Sequence, residues 1–338
     1  MKIGVLCPSE IAYRRFMPAL NECQGLFEYV GVAYASRDEW MGNENIETQI
    51  ETERGKAKLF QKEYGGRVFE GYTNLLTSEI DCVYIPLPPA LHFQWGELAL
   101  RQGKHLFLEK PFTTSLEDTS ALISLAEDRS LAVHENYMFQ FHTQINNICD
   151  EIDDGTIGDV RLIRINFGFP FRGKDDFRYN KVLGGGALLD CGGYTIKLAS
   201  MVLGGDVVVT GATLNSPDGF DVDIFGSAVL KNDKGMVAQI AFGMDNDYRC
   251  SLDIWGSHGS LFTNRILTAP KGYAPILQIN RGNETDAKEL EQDDTFKKSI
   301  HYFYKCINNE GQRQDSYSSI KLQAGLMDDF LRLAYADN

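Results

Sequence analysis

The first 110 residues alternate between short apolar runs and longer mixed segments, and this alternation constrains the fold more than any other feature. Residues 2–6, 29–35, 80–85 and 105–108 are apolar runs of strand length, and the segments between them have the periodicity or the end signals of helices. Strands that alternate with helices at this spacing predict a doubly wound parallel sheet. We therefore expect an α/β domain at the amino-terminal end.

From residue 160 onward, apolar strand-like runs follow one another with few helices between them. Turn residues at 232–235 and 256–259 separate neighbouring runs as hairpin connections do. This half of the chain is expected to form a mostly antiparallel sheet with helices, which is an α+β domain. We place the first domain at residues 1–120 and the second at residues 121–338.

Composition excludes several classes of function. The chain has 33 Lys and Arg against 47 Asp and Glu, and this formal net charge of −14 argues against a nucleic-acid partner. No apolar run approaches the roughly 20 residues that cross a bilayer, so we expect no membrane partner. The seven cysteines form no CxxC pair and the six histidines no HxxxH or HExxH spacing. This usage is typical of reduced thiols in a cytoplasmic protein without a metal site.

The turn after the first apolar run is where doubly wound sheets bind nucleotides. The expected G-x-G-x-x-G pattern is replaced by CPSEIA at residues 7–12, in which only the last residue fits. Glycines there normally let the backbone approach a pyrophosphate, and Glu10 adds a negative charge. Small side chains still permit the turn to form. The candidate cofactor contacts in this turn are Ser9, Glu10, Ile11 and Ala12.

Ser36 and Arg37 follow the second apolar run, where an acidic residue would accept hydrogen bonds from a ribose 2′-hydroxyl. A hydroxyl and a guanidinium suit a 2′-phosphate instead. These two residues therefore favour NADP as cofactor, with NAD as the other possibility. The alternative is a surface arginine in a turn, where Asp38 would pair with it.

The apolar run at residues 105–108 ends in Glu109-Lys110-Pro111. Pro111 cannot donate to a strand ladder, so the strand should end there and leave Lys110 at its carboxyl end. Open α/β sheets bind their ligands at that end, and a lysine beside a cofactor can act in proton transfer. The alternative is that Glu109 and Lys110 form a solvated pair at a strand end.

A second group of chemically active side chains lies in a helix predicted at residues 189–203. Asp190, Tyr194 and Lys197 are at positions i, i+4 and i+7 and would share one face of this helix. Lys197 could then lower the pKa of the tyrosine, and hydrogen bonds could orient it. The alternative is a core tyrosine with a capping aspartate and an exposed lysine.

Several of these segments together resemble the glucose–fructose oxidoreductase/inositol dehydrogenase (Gfo/Idh/MocA) family. The resemblance rests on YIPLP at 84–88 with His92, GKH at 103–105 leading into Glu109-Lys110-Pro111, ENYMF at 135–139 with His142, DFRY at 176–179 and GGGALLDCGGY at 184–194. It implies a Rossmann domain that binds NAD(H) or NADP(H). It also implies a carboxyl-terminal domain whose large open sheet supports the substrate site and a homo-oligomer, either a dimer or a tetramer.

The resemblance also implies roles for single residues. Lys110 would lie near substrate and nicotinamide, and Tyr194 occupies the position where many members carry an acid/base histidine. Arg178, Asp190 and Lys197 are the candidate substrate contacts. Pro86, Leu87, His92 and Glu109 join the candidate cofactor contacts.

The expected function is hydride transfer between a nicotinamide cofactor and a carbon of a sugar or nucleotide-sugar, which interconverts a hydroxyl group and a ketone. One alternative is a non-catalytic or regulatory ligand-binding protein on the same fold. The other is a dehydrogenase that acts on a dihydrodiol or polyol. The sequence contains no separate motif that would recognise the nucleotide of such a substrate.

Overall fold

The computed structural model describes residues 1–23, 25–41 and 45–336, and the chain divides into two compact units. The first comprises Met1–Asn136 and Phe296–Lys321, and the second comprises Tyr137–Thr295 and Leu322–Asn338. The functional boundary at residue 120 stays a prediction.

The first unit is built on a six-stranded sheet in which all neighbouring strands are parallel. Its strands are β1 (Lys2–Val5), β2 (Glu28–Tyr34), β3 (Arg67–Glu70), β4 (Cys82–Ile85), β5 (His105–Leu108) and β6 (Val133–Glu135). Their order is β3-β2-β1-β4-β5-β6, so the direction of winding reverses between β1 and β4. Ligands bind at this switch point in doubly wound sheets, and the predicted α/β class is confirmed.

Helices cover the sheets of both units. They are α1 (Met17–Glu22), α2 (Ile46–Tyr64), α3 (Tyr72–Leu76), α4 (His92–Arg101), α5 (Leu116–Asp128), α6 (Thr143–Asp153), α7 (Gly193–Leu203), α8 (Thr295–Asn308) and α9 (Glu310–Ala334). Ser115 caps α5, since its hydroxyl accepts the Asp118 N–H at 3.0 Å. Among the described residues, no helix has both the length and the apolar character that a membrane crossing requires.

The second unit is built on an eight-stranded sheet, ordered β14-β13-β12-β11-β7-β10-β9-β8. Its strands are β7 (Val160–Gly168), β8 (Val207–Asn215), β9 (Phe225–Asn232), β10 (Val237–Gly243), β11 (Arg249–Gly256), β12 (Ser260–Asn264), β13 (Ile276–Arg281) and β14 (Glu284–Glu289). Only the central pair β7 and β10 is parallel among these neighbours. The predicted mostly antiparallel sheet is therefore confirmed.

The two faces of this sheet differ in character. On one face α7 packs on β7, β9 and β10, and apolar residues such as Ile165, Ile240 and Ala199 share one buried core. Along β9, buried and exposed residues alternate strictly, as expected for a sheet covered on one side. The other face is open and exposes Trp255, which is 59% accessible to solvent.

Two features of the backbone differ from the sequence prediction. At the sheet edge, β13 and β14 form a hairpin that the sequence analysis did not predict. Every residue of β14 is exposed and its sequence, ETDAKE, has no apolar face, so periodicity could not reveal it. The helix predicted at 189–203 begins instead with a π turn at Leu188–Gly192, and a second π turn at Ala12–Phe16 precedes α1.

Candidate active site

In the turn after β1, Ser9 stands where the nucleotide-binding pattern has a glycine. Its hydroxyl accepts the Ala12 N–H at 3.2 Å, and Ala12 is fully buried. Glu10 is paired with Arg14 at 2.7 Å, both side chains being exposed, while Ile11 remains 36% accessible. Because Arg14 neutralises Glu10, the acidic residue in this turn does not by itself oppose the binding of phosphates.

Cys7 stands where the first glycine of the fingerprint would be, and its side chain packs inward. The thiol forms a hydrogen bond with Tyr72, and burial raises the pKa of Cys7 to about 12, so the thiol is neutral. With residue 7 turned inward and Glu10 drawn to Arg14, the backbone of this turn can approach a pyrophosphate. The side chains present therefore fit a dinucleotide despite the missing glycines.

In the segment after β2, Ser36 and Arg37 lie close in sequence to Glu39, whose carboxylate already accepts four hydrogen bonds. Glu39 accepts hydrogen bonds from Ser36 N–H at 3.0 Å, Tyr72 N–H at 2.7 Å and both the N–H and the hydroxyl of Thr73 at 2.9 and 2.7 Å. Arg37 pairs with Glu47 at 3.0 Å, and both of these side chains are exposed. Arg37 is thus an exposed arginine, as in the alternative interpretation, but its observed partner is Glu47 and not Asp38.

His92 ties two segments of the predicted cofactor site together. It is fully buried, and its ring nitrogens each lie 2.8 Å from a backbone oxygen, Nδ1 from Pro111 and Nε2 from Leu87. Burial lowers the pKa of His92, with a smaller effect of Lys110 in the same direction. Pro86 and Leu87 are buried too, so His92 fixes the ends of β4 and β5 relative to each other.

Glu109 is buried at the end of β5, and Lys110 beside it is half-buried. The carboxylate accepts hydrogen bonds from the Tyr84 hydroxyl and the Asn136 amide, each at 2.7 Å, and the Lys110–Pro111 peptide is cis. Burial raises the pKa of Glu109, although these hydrogen bonds oppose the shift. The alternative of a solvated Glu109–Lys110 pair is therefore wrong for Glu109, which is only 8% exposed.

A buried hydrogen-bond chain continues from Glu109 and was not predicted from the sequence. Asn136 Oδ1 accepts the Ser299 hydroxyl at 2.8 Å, and Ser299 Oγ lies 2.8 Å from His134 Nε2. Ser299 is on α8, 163 positions from Asn136, so local spacing gives no signal for it. This chain supports the strand end that carries Lys110.

In the second unit, Arg178 and Asp190 form a direct ion pair. Arg178 Nε lies 2.9 Å from Asp190 and its Nη1 lies 3.1 Å from Asp176. Burial lowers the pKa of Arg178, but the two carboxylates outweigh it and raise that pKa above the usual value. Two predicted substrate residues are thus brought together, and Asp176 is a third member that the sequence analysis missed.

Tyr194 lies on the first turn of α7 and is 8% exposed. Its ring contacts those of Tyr137, Phe167 and Phe139 at centroid distances of 5.1, 5.4 and 5.8 Å, and its hydroxyl lies 3.9 Å from Met138 Sδ. Lys197 is 5% exposed. The alternative that made this lysine a solvent-exposed residue is therefore wrong.

The π turn before α7 is held by Asp223, another residue that the sequence analysis missed. Asp223 Oδ2 accepts the Leu188 N–H at 2.7 Å, and its backbone oxygen accepts the Ala187 N–H at 2.8 Å. Burial raises the pKa of this carboxyl, against the effect of those hydrogen bonds. Gly186 has φ of +130°, and a Cβ there would lie 2.4 Å from Asp223 Oδ1. Only glycine fits this close approach.

The structure therefore assembles part of the predicted site within each unit. The first unit joins Glu109 and His92 to the strand ends, and the second joins Arg178 to Asp190. Lys110 belongs to the first unit and Tyr194 to the second, so their joint role stays a prediction. Within residues 1–23, 25–41 and 45–336, no three His, Cys, Asp or Glu side chains are grouped as metal ligands would be.

Comparison with known proteins covers both halves of the chain. Residues 25–137 match the model of an oxidoreductase family with an NAD-binding Rossmann fold, and residues 146–262 match the GFO/IDH/MocA C-terminal domain. A dTDP-3,4-didehydro-2,6-dideoxy-alpha-D-glucose 3-reductase from Actinomadura kijaniata is 37% identical over 330 residues, which cover 97% of this chain and 94% of that protein. A D-xylose 1-dehydrogenase (NADP(+)) from Haloferax volcanii is 27% identical over 326 residues, covering 95% and 94% of the two chains.

A solved structure is also closely similar. A 3-ketoreductase from Actinomadura kijaniata, in complex with NADP and TDP-benzene, matches with a TM-score of 0.89 and 35% identity over 98% of this chain and 97% of that chain. Further structures of that enzyme carry a tyrosine-to-phenylalanine change, or a change of one lysine to alanine or glutamate. With these similarities and the site described above, the chain belongs to the Gfo/Idh/MocA family and is an NAD(P)-dependent oxidoreductase that moves hydride between nicotinamide and a carbon of a sugar or nucleotide-sugar.

Proposed function

We propose that this enzyme reduces the 3-keto group of a TDP-linked deoxysugar with NADPH, using Lys110 and Tyr194. The main support for this proposal is the spacing of the lysine and the tyrosine along the chain. The lysine and the tyrosine substituted in the Actinomadura kijaniata 3-ketoreductase are 84 positions apart in that chain. Lys110 and Tyr194 are separated by the same 84 positions (194 − 110) in a chain of nearly the same length.

The proposed chemistry assigns one proton transfer to this chain. Bound NADPH supplies a hydride from nicotinamide C4. The Tyr194 hydroxyl donates the proton that completes the alcohol, and the Lys110 ammonium polarises the ketone oxygen or relays that proton. The two residues could exchange these roles. Arg178, held by Asp190 at 2.9 Å, would position a hydroxyl of the substrate.

The preference for NADPH is supported by the residues after β2. An NAD-binding site uses a carboxylate here for the ribose 2′-hydroxyl, but Glu39 already accepts four hydrogen bonds from its own chain. Among the described residues, Arg37 pairs with Glu47 in an exposed ion pair, and such pairs contribute about 0–1 kcal/mol. A 2′-phosphate can therefore displace Glu47 and bind the Arg37 guanidinium in its place.

A substrate panel tests the function. We expect steady turnover of NADPH with a TDP-linked 3-keto deoxysugar and at least a hundredfold lower kcat/KM with D-xylose and NADP in the reverse direction. The opposite ranking would favour a free-sugar dehydrogenase, the alternative supported by the Haloferax volcanii relative. If fluorescence titration detects no binding of NADPH at millimolar concentration, the proposed preference for NADPH is refuted.

We also propose that the enzyme is a cytoplasmic homo-oligomer. All seven cysteines are free thiols, as is usual in a reducing compartment. The open face of the second sheet exposes large apolar side chains on several strands, and in solution these favour coverage by another subunit. They are Val208, Phe225, Val229, Trp255 and Ile276.

A further inference from the structure

We propose that the loop at residues 169–180, here called the aromatic loop, binds the nucleoside diphosphate half of the substrate through Phe171 and Arg172. This inference rests on the proposed function, since it concerns the recognition of the same nucleotide-sugar. It assigns a role to a segment in which sequence patterns showed no nucleotide-binding motif.

The aromatic loop exposes a flat apolar surface. Phe171 is 39% exposed, and its ring lies 4.7 Å from the ring of Tyr179 and 6.0 Å from that of Phe220. Tyr179 is anchored, because its hydroxyl donates to Met244 O at 2.7 Å and accepts the Arg172 N–H at 3.3 Å. Phe171 therefore packs against the anchored ring of Tyr179 and retains accessible ring surface.

The next residue, Arg172, supplies a positive charge that has no acidic partner among the residues that the structure describes. The Arg172 guanidinium lies 4.5 Å above the ring of Phe169, and no carboxylate of the described residues is within ion-pair distance of it. Arg178 on the same loop is committed to Asp176 and Asp190. A guanidinium held by a ring alone keeps its N–H donors available for an anion.

A row of ring contacts joins Arg172 to the proposed proton donor. Phe169 lies 6.1 Å from Phe167 between ring centroids, and Phe167 lies 5.4 Å from Tyr194. Arg172 is thus three contacts away from Tyr194 within the second unit. An extended nucleotide-sugar whose ketone lies at Tyr194 can place its diphosphate beside Arg172.

The chemistry of this surface selects one ligand class. A nucleobase stacks on an aromatic ring with about 1–3 kcal/mol per base, and a diphosphate accepts paired N–H bonds from a guanidinium. A saturated free sugar has neither a flat ring nor this charge. The geometry therefore points to a nucleoside diphosphate, with the base on Phe171 and the phosphates at Arg172.

Calorimetric titration with TDP alone, without a sugar, tests the assignment on the full chain. We expect Phe171→Ala and Arg172→Ala each to weaken TDP binding about tenfold and to raise KM for the TDP-linked ketone by a similar factor, with kcat changed less than twofold. The dissociation constant for NADPH should not change. Arg161→Ala and Tyr335→Ala, which alter exposed residues elsewhere, should bind TDP like the wild type.

Two results would overturn the assignment, and they are distinguishable. If the wild type binds TDP and both loop variants bind it equally well, the aromatic loop is not the nucleotide site, while the proposed function stands. If the wild type neither binds TDP nor reduces a TDP-linked ketone, the proposed function fails together with this inference.

Discussion

At the scale of single residues, two carboxylates that accept several hydrogen bonds fix the backbone around the proposed cofactor site. Glu39 joins the segment after β2 to the start of α3, and Glu109 joins β5 to Tyr84 and Asn136. The donors lie 25 to 34 positions from these acceptors along the chain. The sequence could indicate Glu109 through the Glu-Lys-Pro motif, but local spacing cannot show partners this distant.

Glu39→Gln should lower the free energy of unfolding at pH 7 by about 1–3 kcal/mol, because an amide cannot accept all four hydrogen bonds. Burial opposes ionisation of Glu39, but hydrogen bonds from Thr73, Ser36 and Tyr72 outweigh it and lower its pKa. A carboxyl with a lowered folded pKa stabilises the protein above its unfolded pKa of about 4.3. This contribution is lost as the pH falls through the folded value.

Urea denaturation at pH 7 and at pH 3 measures this effect. The gap in stability between the wild type and Glu39→Gln should shrink at the lower pH. Glu63→Gln, on the exposed surface of α2, is the matched control and should leave stability within about 0.5 kcal/mol. A gap that is the same at both pH values would refute the role given to the ionised carboxylate.

Arg37→Ala should raise the dissociation constant for NADPH about tenfold or more, because a hydrogen bond to a charged group contributes about 1.5–3 kcal/mol. Binding of NADH, which lacks the 2′-phosphate, should change less than twofold. Glu47→Gln removes the residue that pairs with Arg37 and should leave NADPH binding equal or tighter. Fluorescence titration gives these three dissociation constants, and an equal loss of affinity for both cofactors in Arg37→Ala would argue against a 2′-phosphate site.

At the scale of elements, the sequence predicted the strands and their class but not the form of the helix starts. Apolar runs located β1, β4 and β5 because buried parallel strands are continuously apolar. The π turns at Ala12–Phe16 and Leu188–Gly192 are too short to produce a periodic sequence pattern by which they could be predicted. Such turns are frequent at functional sites, and here both occur in segments that the sequence marks as binding sites.

Asp223→Ala should lower kcat/KM for the ketone about tenfold, because the π turn that presents Asp190 and Tyr194 loses its 2.7 Å support at Leu188. The loss should appear in kcat/KM for the ketone, while the dissociation constant for NADPH stays unchanged. Asp223→Asn keeps an acceptor oxygen and should recover part of the loss. Asp221→Ala, an exposed neighbour, is the control. If Asp223→Ala has wild-type kcat/KM, the turn does not depend on this carboxylate.

At the scale of the whole molecule, the association of segments far apart in the chain could not be predicted from the sequence. The compact first unit takes in Phe296–Lys321 after an interval of 159 residues (Tyr137–Thr295), and no local pattern marks that return. It is driven by packing, since Phe303 of α8 contacts Phe107 of β5 at 5.3 Å between ring centroids. The open face of the second sheet could be foreseen, because buried and exposed residues alternate strictly along β9 and every second side chain faces solvent.

Trp255→Lys should shift the enzyme toward the monomer, because a charge in the centre of an apolar contact must be desolvated without a partner. Light scattering after size exclusion measures the mass. Leu59→Lys, an exposed apolar residue on α2, should not alter it. A wild type that is monomeric at micromolar concentration would contradict the proposed assembly through this face.

Hydride transfer to a TDP-linked 3-keto sugar is proposed to depend on both Lys110 and Tyr194. The most direct test is the single-turnover rate of NADPH oxidation with that ketone in Lys110→Ala and Tyr194→Phe, the second of which keeps the ring contacts of the tyrosine. We expect each variant to lose about 10²–10⁴ in rate. Lys58→Ala and Tyr335→Phe, at exposed positions, should stay within twofold of the wild type. Wild-type rates in both site variants would contradict the roles proposed for Lys110 and Tyr194.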